Sequence, residues 1–329
     1  MSDLSATNVL KKNRALETVV AKEKSFSVNG NKRGKAFIEK VMEIIFKVCA
    51  LTAILAVAAI TLYMIISGTP AIFKVGLTDM LFNSVWKPTA AEPSFGIAYI
   101  VLTSIVGTTA AVLIGVPIGV FTAIFISEIA NKKVAKIVKP AVELLAGIPS
   151  IVYGLLGLII INPIMYQLEV AIFKDSPDHQ FTGGANLISA ILVLAIMILP
   201  TVINLSESAI RAVSPQLRQA SLGLGATKIQ TIFKVIIPAA KSGIIASIVL
   251  GIGRAIGEAM AIVLVSGNAI NVPLPFNSVR FLTTGIVSEM SYSQGLHREA
   301  LFTIGLVLFV FIMVINIIVS RTLKKGGAN

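Results

Sequence analysis

Two charged residues stand inside a long apolar stretch of the sequence, Arg254 and Glu258. The stretch from Ile244 to Leu264 is long enough to cross the hydrocarbon core of a bilayer, and Arg254 lies at its midpoint. A charge at that depth costs at least about 2.5–3.5 kcal/mol, so such residues usually face a polar cavity or a partner. Arginine presents a planar fork of donors that matches an oxyanion. The pair therefore indicates a path for an anion.

The same spacing also allows a purely structural role. Glu258 follows Arg254 by four residues, about 6 Å along a helix axis, and residues at that spacing can form an ion pair. We expect this pair to form at rest. Two charges nevertheless cost more than apolar residues in the same place, so an ion pair alone does not account for them.

Other kinds of chemistry find no support in the sequence. The pair Gly34-Lys35 is followed by Ala36, so it does not complete a phosphate-binding loop of the Walker type. Cys49 is the single cysteine, and the two histidines, His179 and His297, are far apart in predicted loops. We expect no metal, no bound cofactor and no catalytic residues in this chain.

The composition indicates an integral membrane protein. Of the 329 residues, 55% are hydrophobic and 13% are charged, whereas soluble domains have about 25% charged residues. The mean hydropathy is +0.88. The charged residues that give the net charge of +12 lie between the apolar segments and not along one exposed face. This distribution argues against nucleic-acid binding.

Six apolar runs are long enough to cross a membrane, which predicts an all-α polytopic fold with six transmembrane helices. The predicted spans are Val41–Ser67, Phe95–Ser127, Val142–Ile161, Leu187–Leu205, Gly243–Ser266 and Ala300–Val319. The two terminal segments and the loops on the same side carry 21 Lys and Arg in total, and the loops on the other side carry five. The positive-inside rule then places both termini in the cytoplasm. We predict a basic N-terminal tail at 1–40, a six-helix membrane domain at 41–322 that includes the segment 211–238, and a C-terminal tail at 323–329.

The segment at 211–238 on the basic side has the pattern of a docking element. Pro215 suits the first position of a helix, with Ser214 as its cap. Gly225 allows a sharp turn, and Pro238 is expected to open the fifth membrane helix. A plain connecting loop is the alternative, but it would not need this small, weakly charged surface.

This segment resembles the EAA loop of ABC-importer permeases, a family with the MetI-like fold. Ala220, Gly225 and Pro238 match the pattern of that loop, whereas Gln219 replaces its Glu and Ser221 its second Ala. The resemblance implies that these five residues couple the chain to an ATPase subunit, whose groove receives the loop. ATP and Mg are then used by that partner and not by this chain.

A narrower resemblance covers about residues 40–322. The stretches Arg254–Ala261 and Gly147–Gly154 are similar to signatures of the C-type permeases of phosphate-specific transport systems. This resemblance implies one half of the pathway of an ATP-driven phosphate importer in a bacterial inner membrane. It also implies three kinds of partner: an A-type sister permease, a pair of ATP-binding subunits, and an extracytoplasmic phosphate-binding protein on the outer loops.

The charges of the fifth span fit phosphate better than sulfate. Glu258 would repel any dianion, but it can accept a hydrogen bond from a protonated phosphate, and sulfate has no proton to donate near neutral pH. Two alternatives stay open from the sequence. One is an ABC permease for another oxyanion, such as sulfate or molybdate. The other is an ion-coupled secondary transporter with Glu258 as its proton carrier.

Overall fold

The computed structural model describes residues 32–177 and 179–326. These residues are mostly helical, and one two-stranded antiparallel sheet joins Trp86–Lys87 (β1) to Ser94–Phe95 (β2). The helices, in chain order, are α1 Lys32–Val75, α2 Leu77–Phe82, α3 Ala98–Ile124, α4 Lys132–Ala146, α5 Ser150–Leu156, α6 Asn162–Phe173, α7 Leu187–Arg211, α8 Pro215–Gly223, α9 Lys228–Thr231, α10 Ile237–Gly257, α11 Met260–Val265, α12 Leu282–Glu289 and α13 Gly295–Gly326.

Three π-helical turns extend some of these helices into longer continuous runs. The turns are Phe125–Ile129 after α3, Gly157–Ile161 between α5 and α6, and Ile232–Ile236 between α9 and α10. Six runs are long and apolar enough to cross a membrane, which confirms the predicted fold class. The six spans are Phe37–Val75, Ala98–Ile129, Ser150–Phe173, Leu187–Arg211, Lys228–Gly257 and Gly295–Ile317.

The predicted boundaries of the third span are wrong. Val142 belongs to α4, which ends at Ala146, and the span begins only after Pro149. The span then continues past Asn162 to Phe173, although Pro163 lies in its path. Pro163 is tolerated because it falls at the start of α6, directly after a π-helical turn, where helix geometry is already altered.

The predicted tail at 1–40 falls mostly outside the described residues. Residues 1–31 and 327–329 are not described, and α1 begins at Lys32 without a break at residue 40. The division of the chain into tails and a membrane domain therefore stays a prediction. By its contacts, the chain separates into two compact units between Leu62 and Tyr63, and the sites below all belong to the second unit.

The second unit is centred on the second and fourth spans. Gly115 and Gly119 of α3 face α7 so closely that an added Cβ would lie 2.7 Å from Ile198 Cδ1 and 2.8 Å from Val202 Cγ1, respectively. Small residues at these points let the two helices approach each other, as they do in many membrane bundles.

Two ends of this unit lie outside the spans. One end, called the basic face below, contains segments 130–149 and 212–227, and its apolar cluster includes Val142, Ile210 and Ile236. The opposite face contains segments 76–97 and 266–294, with the small sheet.

Candidate functional site

The fifth membrane segment is interrupted inside the unit. Helix α10 ends at Gly257 and α11 begins at Met260, so the predicted continuous helix at 243–266 is wrong. Glu258 adopts an extended backbone conformation, with φ −73° and ψ 132°. Its carbonyl oxygen accepts a hydrogen bond of 2.6 Å from Thr283 Oγ1 on α12. The neighbouring helix thus satisfies a backbone group that the break leaves free.

The Glu258 side chain contacts α11, the helix that follows the break. It is buried, and its Oε1 accepts a hydrogen bond of 3.0 Å from the amide of Ala261, in the first turn of α11. A carboxylate at a helix N-terminus is favourable because it meets unpaired N–H groups. The predicted resting ion pair with Arg254 is wrong, since none of the ion pairs among the described residues joins the two. The extended backbone at Glu258 removes the i, i+4 register that the pair required.

Arg254 lies in the last turn of α10, where its charge favours the C-terminal end of the helix dipole. The residue is half-buried, and within the described chain its guanidinium has no hydrogen-bonding partner. At Gly253 and Gly257 an added Cβ would meet no atom within 4 Å, whereas at Gly251 it would touch the fourth span. The helix therefore packs on one side and leaves open space beside Arg254.

Helix α12, which supports the break, is held at its far end by a buried carboxylate. Glu289 accepts hydrogen bonds from Trp86 Nε1 at 3.0 Å and pairs with His297 Nε2 at 2.8 Å. It also forms an ion pair with Arg280. This group ties α12 to β1 and to the start of the sixth span, so it positions Thr283 against Glu258.

His179 lies in a loop as predicted, between α6 and α7, whereas the prediction for His297 is wrong because it lies in the first turn of α13. His297 is buried against Glu289, and His179 Nε2 lies 2.9 Å from Oε1 of the fully buried Glu169. The ring of His179 also stacks on Phe173 at 3.9 Å. Each histidine joins a segment outside the spans to a buried glutamate. The local sequence does not indicate these glutamate partners, because the packing of the helices brings each pair together.

On the basic face, the predicted helix–turn–helix element is present. Helix α8 begins at Pro215 as expected, although Ser214 makes no side-chain cap. Gly225 has φ +83°, a conformation that favours glycine, and it forms the predicted turn. The next helix starts with a capping box, in which Thr227 and Gln230 each bond the other's backbone amide at 3.2 Å or less.

The five residues predicted to couple the chain to an ATPase lie along this element. Gln219 and Ala220 are exposed on α8, and Ser221 bonds Thr231 Oγ1 at 2.9 Å, which joins the two short helices. Gly225 forms the turn. Pro238 is exposed but does not open the fifth span as predicted, since the helical run begins at Lys228 and a π-helical turn precedes the proline.

Exposed apolar side chains surround the turn at Gly225. These residues are Leu217, Leu222, Leu224 and Ile229, of which Leu224 is 90% exposed. Leu217, Leu222 and Leu224 lie between the fourth and fifth spans, and Ile229 lies in the first turn of the fifth. An apolar patch at such a place is typical of a protein–protein contact.

Arg218, a residue that no sequence motif singled out, anchors this element to the membrane spans. Its Nη2 donates to Glu128 Oε1 at 2.8 Å and to the Ile210 carbonyl at 2.9 Å, and its Nη1 donates to the Val213 carbonyl at 3.0 Å. Glu128 lies in the π-helical turn that ends the second span. One guanidinium thus connects α8 with the ends of spans two and four.

Comparisons with known proteins agree with this architecture. Residues 115–324 match the family described as binding-protein-dependent transport system inner membrane component. The chain is 37% identical to a probable ABC transporter permease protein, YqgH, of Bacillus subtilis, over 83% of this chain and 88% of that protein. It is 32% identical to the phosphate transport system permease protein PstC of Pasteurella multocida, over 84% of this chain and 90% of that protein.

A solved structure supports the fold independently. The chain superposes on a chain of a bacterial alginate ABC transporter with a TM-score of 0.61 at 16% identity, covering 88% of this chain and 97% of that one. The family match and the PstC relative confirm the family resemblance inferred from the sequence motifs. The six spans, together with the family, identify a multi-pass protein of the inner membrane. The chain belongs to the family of binding-protein-dependent transport system inner-membrane components.

Proposed function

We propose that this chain is a permease subunit of an ATP-driven importer of inorganic phosphate and forms half of its translocation path. The family supports the role of a membrane subunit in such a system. The relative from Pasteurella multocida, a phosphate transport permease, supports phosphate as the transported anion. The chain itself does no covalent chemistry in this proposal.

The observation that carries the proposal is the break in the fifth span beside an unpartnered guanidinium. Transporters commonly bind their substrates where membrane helices are discontinuous. Arg254 has its donors available to an oxyanion, next to the open space at Gly253 and Gly257. Glu258 uses one carboxylate oxygen on α11, and its other oxygen accepts no hydrogen bond from the described residues. That oxygen can accept the proton of hydrogen phosphate, which sulfate lacks.

In this proposal the basic face and both termini lie in the cytoplasm. The excess of lysine and arginine in the segments on that side supports the orientation. The opposite face then receives the extracytoplasmic phosphate-binding protein. The open side of α10 at Arg254 faces the A-type sister permease, so that the path runs between the two subunits.

The helix–turn–helix element would couple this chain to a pair of ATP-binding subunits. Its exposed surface, with Gln219, Ala220 and the apolar patch around Gly225, fits into a groove on a protein partner. ATP and Mg are used by that partner, and no cofactor is bound here. Closure of the ATP-binding pair would move α8, and Arg218 would transmit that movement to spans two and four.

Uptake of labelled phosphate by proteoliposomes that contain the assembled transporter tests this function. We expect Arg254→Gln to reduce uptake by at least about tenfold, because it removes a charge-assisted contact with the anion. Lys241→Gln is the matched control, since Lys241 is an exposed residue of the same helix. Uptake by an assembled Arg254→Gln transporter at the level of the control would refute the role of this residue.

Two further arms of the assay address the anion and the energy source. Unlabelled phosphate should compete with uptake, whereas sulfate and molybdate should not. Uptake should stop when ATP is omitted, even in vesicles with an imposed proton gradient. Competition by sulfate would indicate another oxyanion permease, and uptake without ATP would indicate a secondary transporter.

A further inference from the structure

A cationic concavity of about 390 Å³ lies on the basic face between α4 and the end of α7. Its charged lining consists of Lys132, Lys136, Lys139, Arg211 and Glu143. The three lysines recur at i, i+4 and i+7, so they share one side of α4. None of these residues belongs to the break between α10 and α11 or to the short helices α8 and α9.

The cations of this concavity differ in whether a carboxylate pairs with them. Lys139 Nζ lies 3.2 Å from Glu207 Oε2, and Arg211 pairs with the same carboxylate, which is buried. Lys132 and Lys136 are exposed, and neither forms an ion pair within the described part of the chain. Two cations are thus held by the Glu207 carboxylate, and two others remain available to an anion.

The start of α4 also favours an anion. Asn131 caps the helix by accepting from the Val134 amide at 2.8 Å, but the first turn carries Lys132 and Lys133 and no acidic residue. Cations in a first turn oppose the helix dipole, whereas an anion bound there is stabilised by it. A ligand with negative charge would therefore relieve an unfavourable arrangement that the chain itself leaves uncompensated.

The remaining sides of α4 place the helix at the membrane surface. Val138 and Val142 pack against the apolar cluster of the basic face. Ile137 and Leu144, which are seven residues apart, are 72% and 74% exposed. A helix with an exposed apolar stripe and a lysine-rich polar side is typical of one that lies in the plane of the headgroups.

We propose that Lys132, Lys136, Lys139 and Arg211 bind the phosphodiester of an anionic lipid headgroup. Basic pockets beside membrane helices recognise such headgroups through the same contacts that lysine and arginine make with any phosphate. A lipid accounts for both the cationic concavity and the neighbouring apolar stripe, whereas free phosphate would account only for the first. The site is separate from the proposed transport path and does not depend on which anion is carried.

Native mass spectrometry of the full chain, released from mixed micelles, tests the site. Phosphatidylglycerol is the anionic probe and phosphatidylcholine the neutral one. We expect Lys132→Gln with Lys136→Gln to weaken retention of phosphatidylglycerol about 30-fold, because each lysine near a headgroup contributes a factor of about five. Lys234→Gln with Lys241→Gln removes the same charge from exposed residues outside the concavity and should leave retention within about twofold of the parent chain.

A variant that is expected to strengthen lipid retention distinguishes a specific site from a general effect of lost charge or lost folding. Glu143→Gln removes the only anionic residue that lines the concavity and should strengthen retention of phosphatidylglycerol by about fivefold. Equal losses in the two double-lysine variants would overturn the proposal in favour of diffuse surface charge. Displacement of the lipid by excess inorganic phosphate, or equal retention of the two lipids, would also overturn it.

Discussion

The contact between Arg218 and Glu128 makes a quantitative prediction about how α8 is held to the membrane spans. The guanidinium of Arg218 reaches the Glu128 carboxylate at 2.8 Å and the carbonyls of Ile210 and Val213 at 2.9 and 3.0 Å. Replacing arginine by glutamine removes the charge and the fork that spans all three acceptors. The variants Arg218→Gln and Glu128→Gln and the double variant form a double-mutant cycle, which measures the interaction energy between the two side chains.

The expected magnitudes follow from burial and geometry. The Arg218 side chain is 25% exposed and that of Glu128 is 12% exposed, so solvent screens the pair only in part. A hydrogen bond to a charged group contributes about 1.5–3 kcal/mol, and each carbonyl contact about 1 kcal/mol. After a reduction for exposure, Arg218→Gln should lower the free energy of unfolding by about 2–4 kcal/mol. Glu128→Gln should cost about 1–2 kcal/mol, because Arg218 keeps its two carbonyl partners.

Two measurements on full-length protein check this prediction. Unfolding in mixed detergent micelles should give an interaction energy of about 1–2 kcal/mol between the two sites, equal to the cost of Glu128→Gln in the parent chain. In proteoliposomes with the assembled transporter, Arg218→Gln should lower phosphate uptake more than ATP hydrolysis, since α8 is then less firmly joined to the spans. Lys228→Gln, an exposed change on the same face, should alter neither quantity. Additive losses in the cycle, or equal losses of uptake and hydrolysis, would refute this reasoning.

Three further changes have defined outcomes. Thr283→Val removes the 2.6 Å bond to the Glu258 carbonyl and leaves that carbonyl unpaired, so stability should fall by about 1–3 kcal/mol and labelled phosphate uptake should fall with it. Gly184→Ala adds a Cβ within 1.8 Å of the Asn162 carbonyl oxygen at φ +82°, so the unfolding midpoint should drop, and an unchanged midpoint would contradict this geometry. Leu224→Glu should keep the unfolding free energy within about 0.5 kcal/mol because the residue is 90% exposed, while co-purification of the ATP-binding subunits should decrease.

Features that depend on a single stretch of chain were predictable. Each of the six spans has an apolar run near it in sequence, because a bilayer imposes a length and a composition on any helix that crosses it. The turn at Gly225 and the helix start at Pro215 followed from the backbone preferences of those two residues. Motif spacing was also sufficient to recognise the family, since the residues that carry it are close in sequence.

The contacts that organise the sites required the tertiary structure. Arg218 and Glu128 are 90 positions apart, and Trp86 and Glu289 are 203 apart, so no local pattern relates them. The break before α11 is equally non-local, because the Thr283 hydroxyl on another helix satisfies the carbonyl that it frees. That break is why Glu258 caps α11 instead of pairing with its neighbour along the chain. Local preferences and hydropathy act within a few turns of helix, whereas the partner of a buried polar group is chosen by how the helices pack.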